Sequence, residues 1–228
     1  MKFFKNKKKE EVVPVYNRFD EIKLRLENSP FYAAETNLHA PLGYFDGRPL
    51  IAESNPIIGG VYLSVTPREA IVVDEKYGDL APLYDELLRN FVQEVGSREQ
   101  IEDKIFPLAV NLVKNQLRFD PVGFRNLISI NEIVADSKVS LDFFLKKHVG
   151  VSRHQVLCLG YLLHKLKERE LIAGNTRIDP IFKEFPGDDE VLVYTNPDGK
   201  RFLFDPIIES EKHSVQRFQL YQGFVEHQ

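Results

Sequence analysis

Cysteine occurs once in the 228-residue chain, at Cys158. Neither a disulfide framework nor a cysteine-rich metal site can be built from it, and a reducing, cytosolic setting fits best. Long hydrophobic runs are missing as well. No stretch reaches the ~18 consecutive apolar residues that a membrane-spanning helix needs. Nor is there an excess of positive charge: the formal net charge is −4, whereas nucleic-acid binders present a basic face. The N-terminus, Met1 to Lys9, is basic, but no apolar segment follows it, so it does not read as a secretory signal. Residues 1–15 are expected to be a solvated tail, with weak contact to an anionic membrane surface through Phe3 and Phe4 as the second reading. Internal repeats and low-complexity tracts are absent too.

What remains is an ordinary globular composition, 43% apolar and 28% charged, enough for one sizeable domain or two small ones. Tyr16 to Leu26 reads as a short helix ended by Asn28-Ser29-Pro30. Asp46-Gly47 suits a tight turn between Leu42–Phe45 and Leu50–Ala52, and two strands follow, Gly59 to Val65 and Glu69 to Asp74. Leu80, Leu83, Tyr84, Leu87, Leu88, Phe91, Val92 and Val95 make one helical stripe, stopped at Gly96. Ser97-Arg-Glu-Gln100 has the form of a capping box opening a second helix, striped by Ile101, Ile105, Leu108 and Leu112 and reaching about Leu117. Asp120 to Gly123 reads as a turn, Asn126 to Ile133 as a short apolar segment and Leu141 to Leu145 as a short helix. Leu171 to Ile178 reads as a strand stopped by Asp179-Pro180. Val191–Tyr194 and Arg201–Phe204 are strands joined by the turn Asn196-Pro-Asp-Gly199.

The chain is organised around Gly150-Val-Ser-Arg-His-Gln155 and the apolar run Val156 to Leu163 behind it. A helix apolar on nearly every side belongs in the middle of a domain. Its first turn offers free N–H groups and a positive dipole end, a common seat for a nucleophile. The residue in that seat is Ser152.

This succession of a helix, the Gly-Val-Ser-Arg-His-Gln helix, a strand and a hairpin closing on Phe204-Asp205-Pro206 resembles the core of the bacterial transglutaminase-like proteins, relatives of the papain-like thiol enzymes. The resemblance covers residues 97–208. It implies a triad of cysteine, histidine and aspartate: nucleophile, base, and a carboxylate that orients the base. Gly150, Val151, Arg153, His154 and Gln155 match the segment around the nucleophile, and Asp205 matches the aspartate. Ser152 stands where the cysteine belongs. Asp189, within Asp188-Asp189-Glu190, falls closest to the histidine position, and no histidine lies between His164 and His213. A hydroxyl is not ionised by a helix dipole alone, and a carboxylate of ordinary pKa ~4 is a poor proton relay near neutrality.

The other constellations weigh less. His154, two residues past Ser152, points away from it on a helix and is expected, with Arg153, to make structural hydrogen bonds. His148 and His39 are the remaining candidates to reach Ser152. Cys158 reads as a buried, inert thiol. The six histidines have no zinc-like spacing, the triplet 188–190 reads as a solvated loop rather than a cation site, and Gly59-Gly60 precedes a strand and so is no phosphate cradle.

The expectation is therefore an α+β fold: a transglutaminase-like core over 97–208 with a central buried helix on an antiparallel sheet, an N-terminal α/β appendage over 16–96, and tails at 1–15 and 209–228. Ser152, Asp189 and Asp205 are vestigial triad positions, with no catalytic residue, cofactor or metal expected. The function read from this is a pseudoenzyme serving as a protein-binding or adaptor subunit of a bacterial cytoplasmic assembly, with the inner-membrane surface as a peripheral location. Other proteins are the partners, not nucleic acid; the N-terminal tail and Phe218 to Phe224 are the contact candidates. The alternative is an active acyl-transferase or protease-like enzyme with Ser152 as nucleophile, native or replacing a cysteine. A third reading keeps the old cleft for peptide recognition.

Overall fold

In the computed structural model, residues 28–29, 32–33, 43–51, 58–63, 69–76, 78–94, 101–130, 132–134, 137–180 and 190–207 are described. They form a mixed α+β structure of five helices and three sheets. The helix expected over Tyr16–Leu26, the capping box at Ser97 and both tails lie outside the described residues.

The largest sheet has the order β1 (Tyr32–Ala33), β2 (Tyr44–Phe45), β3 (Arg48–Ile51), β4 (Val61–Leu63), β5 (Ala70–Val72) and β7 (Lys138–Ser140). Pairings are antiparallel except β3 with β4 and β5 with β7. Asp46 and Gly47 close the β2–β3 hairpin with φ of 52° and 74°, the doubly positive geometry of a two-residue hairpin turn. Alternation along the strands divides the side chains between two faces. Leu50, Val61, Leu63, Ala70 and Val72 join Phe45 on one face, while Ile51, Tyr62, Ile71 and Val73 enter the main core on the other. Strand β7 belongs to the stretch 97–208 and β5 to the stretch 16–96, so the two stretches share a sheet as well as a core.

Two long helices lie over that core, α1 (Leu80–Glu94) and α2 (Ile101–Gln116). The stripe on α1 holds as far as Phe91, but Val92 is 77% exposed. At 100° per residue Val92 falls about 120° from Leu80, past the edge of the buried face. The N-terminus of α1 is capped from a distance. Asp142 accepts hydrogen bonds from the backbone N–H groups of Asp79 (2.7 Å) and Leu80 (3.1 Å). Burial raises the Asp142 carboxyl above its usual range although these bonds pull it down.

The segment expected to be a turn over 120–123 is instead the start of a helix, α3 (Pro121–Ser129). Asp120 caps it by accepting from Gly123 N–H (2.8 Å), and Pro121 stands at the first helical position, where its missing donor costs nothing. Phe124 and Leu127 are its buried side chains. Helix α4 (Leu141–Lys147) follows β7, and its end at His148 takes a left-handed φ of 52°.

The central helix, α5 (Ser152–Glu168), forms as expected. Thirteen of its 17 residues are buried, which leaves no solvent face before the last turns. It packs on β9 (Asn175–Pro180) and β10 (Glu190–Thr195) of a three-stranded antiparallel sheet completed by β11 (Arg201–Phe204). The strand expected over 171–178 begins later, at Asn175, and continues through Pro180. A proline is tolerated there because β9 is an edge strand with one unpaired side. The hairpin turn at 196–199 stands as expected, with Asn196 Oδ1 accepting from Lys200 N–H (2.7 Å).

Gly174, just before β9, meets β10 with no room for a side chain. A Cβ built there would lie 2.4 Å from both the Thr195 carbonyl oxygen and the Tyr194 ring. Gly174→Ala is expected to lower stability by about 1–3 kcal/mol, the range for forcing a methyl group into a filled core. Urea denaturation should show it as a lower midpoint with an unchanged slope.

Candidate functional site

The entry to α5 is held from below by its neighbours. Strand β8 (Val149–Gly150) pairs in parallel with β6 (Arg118–Phe119), and Asp120 N–H donates to the Gly150 carbonyl (2.8 Å). Gln155 Nε2 donates to the Leu117 carbonyl (2.5 Å). Val151 occupies the cap position and has no side-chain acceptor to offer the helix. The third helical residue compensates from the other direction: His154 Nδ1 accepts from Val151 N–H (3.0 Å). This is the reciprocal arm of a capping box, with a histidine where glutamate or glutamine usually stands.

That bond sets the tautomer. With Nδ1 accepting, the ring proton sits on Nε2, which donates to Glu69 Oε1 at 2.9 Å. The same carboxylate oxygen pairs with Arg153 Nη2. Glu69 lies one residue before β5, so the contact ties the large sheet to the start of α5. All three side chains are buried. The His154 ring lies against Phe144 (centroids 3.9 Å apart) and Phe124 (5.2 Å), and the Arg153 guanidinium sits 5.9 Å from the Phe124 ring. Burial on its own would raise the Glu69 carboxyl. The His154 hydrogen bond and the Arg153 charge outweigh it and hold the group below its ordinary value.

The residues singled out in the sequence are distributed as follows. Ser152, the first residue of α5, is only 1% exposed. His154 makes structural hydrogen bonds as expected, whereas Arg153 makes a buried ion pair with Glu69 in place of the hydrogen bonds expected of it. Both ring nitrogens of His154 are engaged, one by Val151 and one by Glu69. His148 is exposed, with Nδ1 2.8 Å from the Gln116 carbonyl. Asp205 is buried after β11 and accepts from Ile207 N–H (2.9 Å). Asp189 and His39 lie outside the described residues. Cys158 is fully buried and burial pushes its thiol pKa up, so it is not a nucleophile. Among the described residues no three His, Cys, Asp or Glu side chains converge as a metal site.

Glu69 is the residue sequence reasoning missed. Its signal is a lone carboxylate against the apolar run Ala70-Ile-Val-Val73, a place where a charge is buried only if paired. Chemically, the arrangement positions a helix and neutralises a buried guanidinium. A hydroxyl becomes a nucleophile when a base takes its proton, and the histidine nearest Ser152 in sequence has both nitrogens engaged by Glu69 and Val151.

No protein-family model, curated protein or solved structure matches this chain. No helix among the described residues is long and apolar enough to cross a membrane.

Glu69→Ala would leave Arg153 buried without its anion, and the expected loss is about 3–5 kcal/mol. The pH dependence has a definite sign. Because the folded pKa of Glu69 lies below its ordinary value of 4.5, its contribution is complete above that pH. It is lost as pH falls through the lowered folded value. Urea midpoints of wild type and Glu69→Gln, followed from neutrality to about pH 3, should converge at the acid end.

Proposed function

We propose that this protein is a non-catalytic, transglutaminase-like domain used as a binding or adaptor subunit of a bacterial cytoplasmic assembly. The observation that carries the proposal is the state of the nucleophile seat. A serine fills it, almost wholly buried, and the adjoining Arg153 and His154 are tied to Glu69. An enzyme of the resembled family needs an accessible thiol there and a base free to take its proton. Here the same positions hold the domain together.

A binding role has separate support. Val122, Ile128, Ile130 and Val134 are exposed apolar side chains on α3 and in the turn after it. We take this segment as the contact surface of the adaptor reading, since contiguous exposed apolar patches mark protein contacts. Peripheral contact with an anionic membrane through the basic residues 1–15 belongs to the same reading.

Two experiments test it. In Ser152→Cys, alkylation by iodoacetamide is expected to be as slow as that of the buried Cys158 in wild type, with no acceleration at low pH. Fast, selective alkylation of the introduced thiol below neutrality would reveal an activated nucleophile and overturn the inert reading. In the second, Val122→Asp with Ile130→Asp is expected to keep the wild-type melting temperature, since exposed substitutions stay within about 0.5 kcal/mol. From native cell extract the variant should elute at the mass of the free chain and wild type in a larger assembly. Wild type eluting as the free chain would overturn the adaptor reading.

A further inference from the structure

His154 joins several elements at the start of α5. One nitrogen accepts from Val151 at the helix cap, the other donates to Glu69 beside β5, and the ring packs on Phe124 of α3 and Phe144 of α4. A neutral imidazole has one donor and one acceptor, and this site uses one of each. A protonated imidazole has two donors. Its Nδ1–H would then face Val151 N–H across 3.0 Å, donor against donor.

The charge balance points the same way. Glu69 carries one negative charge and already has Arg153 as its positive partner. The ionisable groups on the two helices packed against the ring are placed as follows. On α3, Arg125 is exposed. On α4, Lys146 and Lys147 are exposed, Lys147 pairing with Glu132, while Asp142 is bonded to the start of α1. Cys158, one turn further along α5, is an uncharged thiol. A second cation would leave a net positive charge in a site closed to water.

We infer that His154 is an acid-release latch: a proton at Nδ1 breaks its bond to Val151, frees the first turn of α5 and loosens that turn from the sheet. Neutral pH keeps the latch shut. The window differs from that of Glu69. An unfolded histidine gains its proton near pH 6.5, well above the range in which carboxylates titrate.

The test uses the whole chain and two readouts. Between pH 7.5 and 5.5, the unfolding equilibrium constant of wild type at fixed urea is expected to rise by up to ~10-fold per pH unit below about 6.5, the slope for one proton taken up on opening. His154→Asn, whose Oδ1 still accepts from Val151 but cannot be protonated, should lose that slope. The rate at which 4,4′-dithiodipyridine reaches Cys158 should rise over the same range in wild type and stay flat in the variant. Equal pH profiles for the two proteins would overturn the latch. Should the variant not fold, histidine ring NMR of wild type decides. A neutral Nε2–H ring at pH 7.5 that gains its proton as the α5 amides lose protection from exchange supports the proposal. A ring already doubly protonated at pH 7.5, or still neutral at pH 5.5, refutes it.

Discussion

The buried carboxylate Glu69 ties the large sheet to the central helix, beside the sheet and core that the two halves of this architecture share. It sits at the foot of the large sheet and faces the second and third residues of the central helix. Each buried charge depends on the other for its place out of water. An unpaired guanidinium the size of Arg153, 2% exposed, would be among the most expensive groups to keep out of water. A net stabilising contribution does not follow, because well-packed apolar residues can often match a buried ion pair. What such a pair supplies is discrimination: packings of α5 that leave the charges apart are penalised by far more than this one is favoured.

The starts of two helices are tied to distant segments of the chain. Helix α1 receives its acceptor from Asp142, 63 residues away from Asp79. Helix α5 has a valine at its cap position and is completed by its own third residue, His154, which in turn is oriented by Glu69. Both devices convert backbone groups that would otherwise need water into links between distant segments. They also place ionisable side chains in the interior, so the coherence of the domain becomes sensitive to protons.

How much of this was legible beforehand depends on the range of the interaction concerned. The α1 stripe, the Asp46-Gly47 turn, the Asn196–Gly199 turn and the all-round apolar α5 are written in local periodicity, and each appears in the structure. Helix α3 was legible and misread: Asp120 followed by Pro121 is a cap and a first helical residue, yet the same pair also suits a turn. The limits of β9 were obscured because an edge strand accepts Pro180, which the middle of a sheet would refuse. The partnership of Glu69 with Arg153 and His154 could not be read at all. Spacing along the chain carries no trace of a contact between a strand and a helix so far apart, and the parallel addition of β7 to β5 is hidden for the same reason.

That parallel addition also bears on how the protein is made. Glu69 leaves the ribosome 85 residues ahead of His154, a delay of ~4–17 s at ordinary rates of translation. β5 keeps an open edge until β7, Lys138–Ser140, has been made, and the carboxylate beside it waits longer still for Arg153 and His154. An open apolar edge invites association with other nascent chains. A charge beside an open edge is among the features that disfavour pairing with another chain, and Glu69 stands one residue before this one.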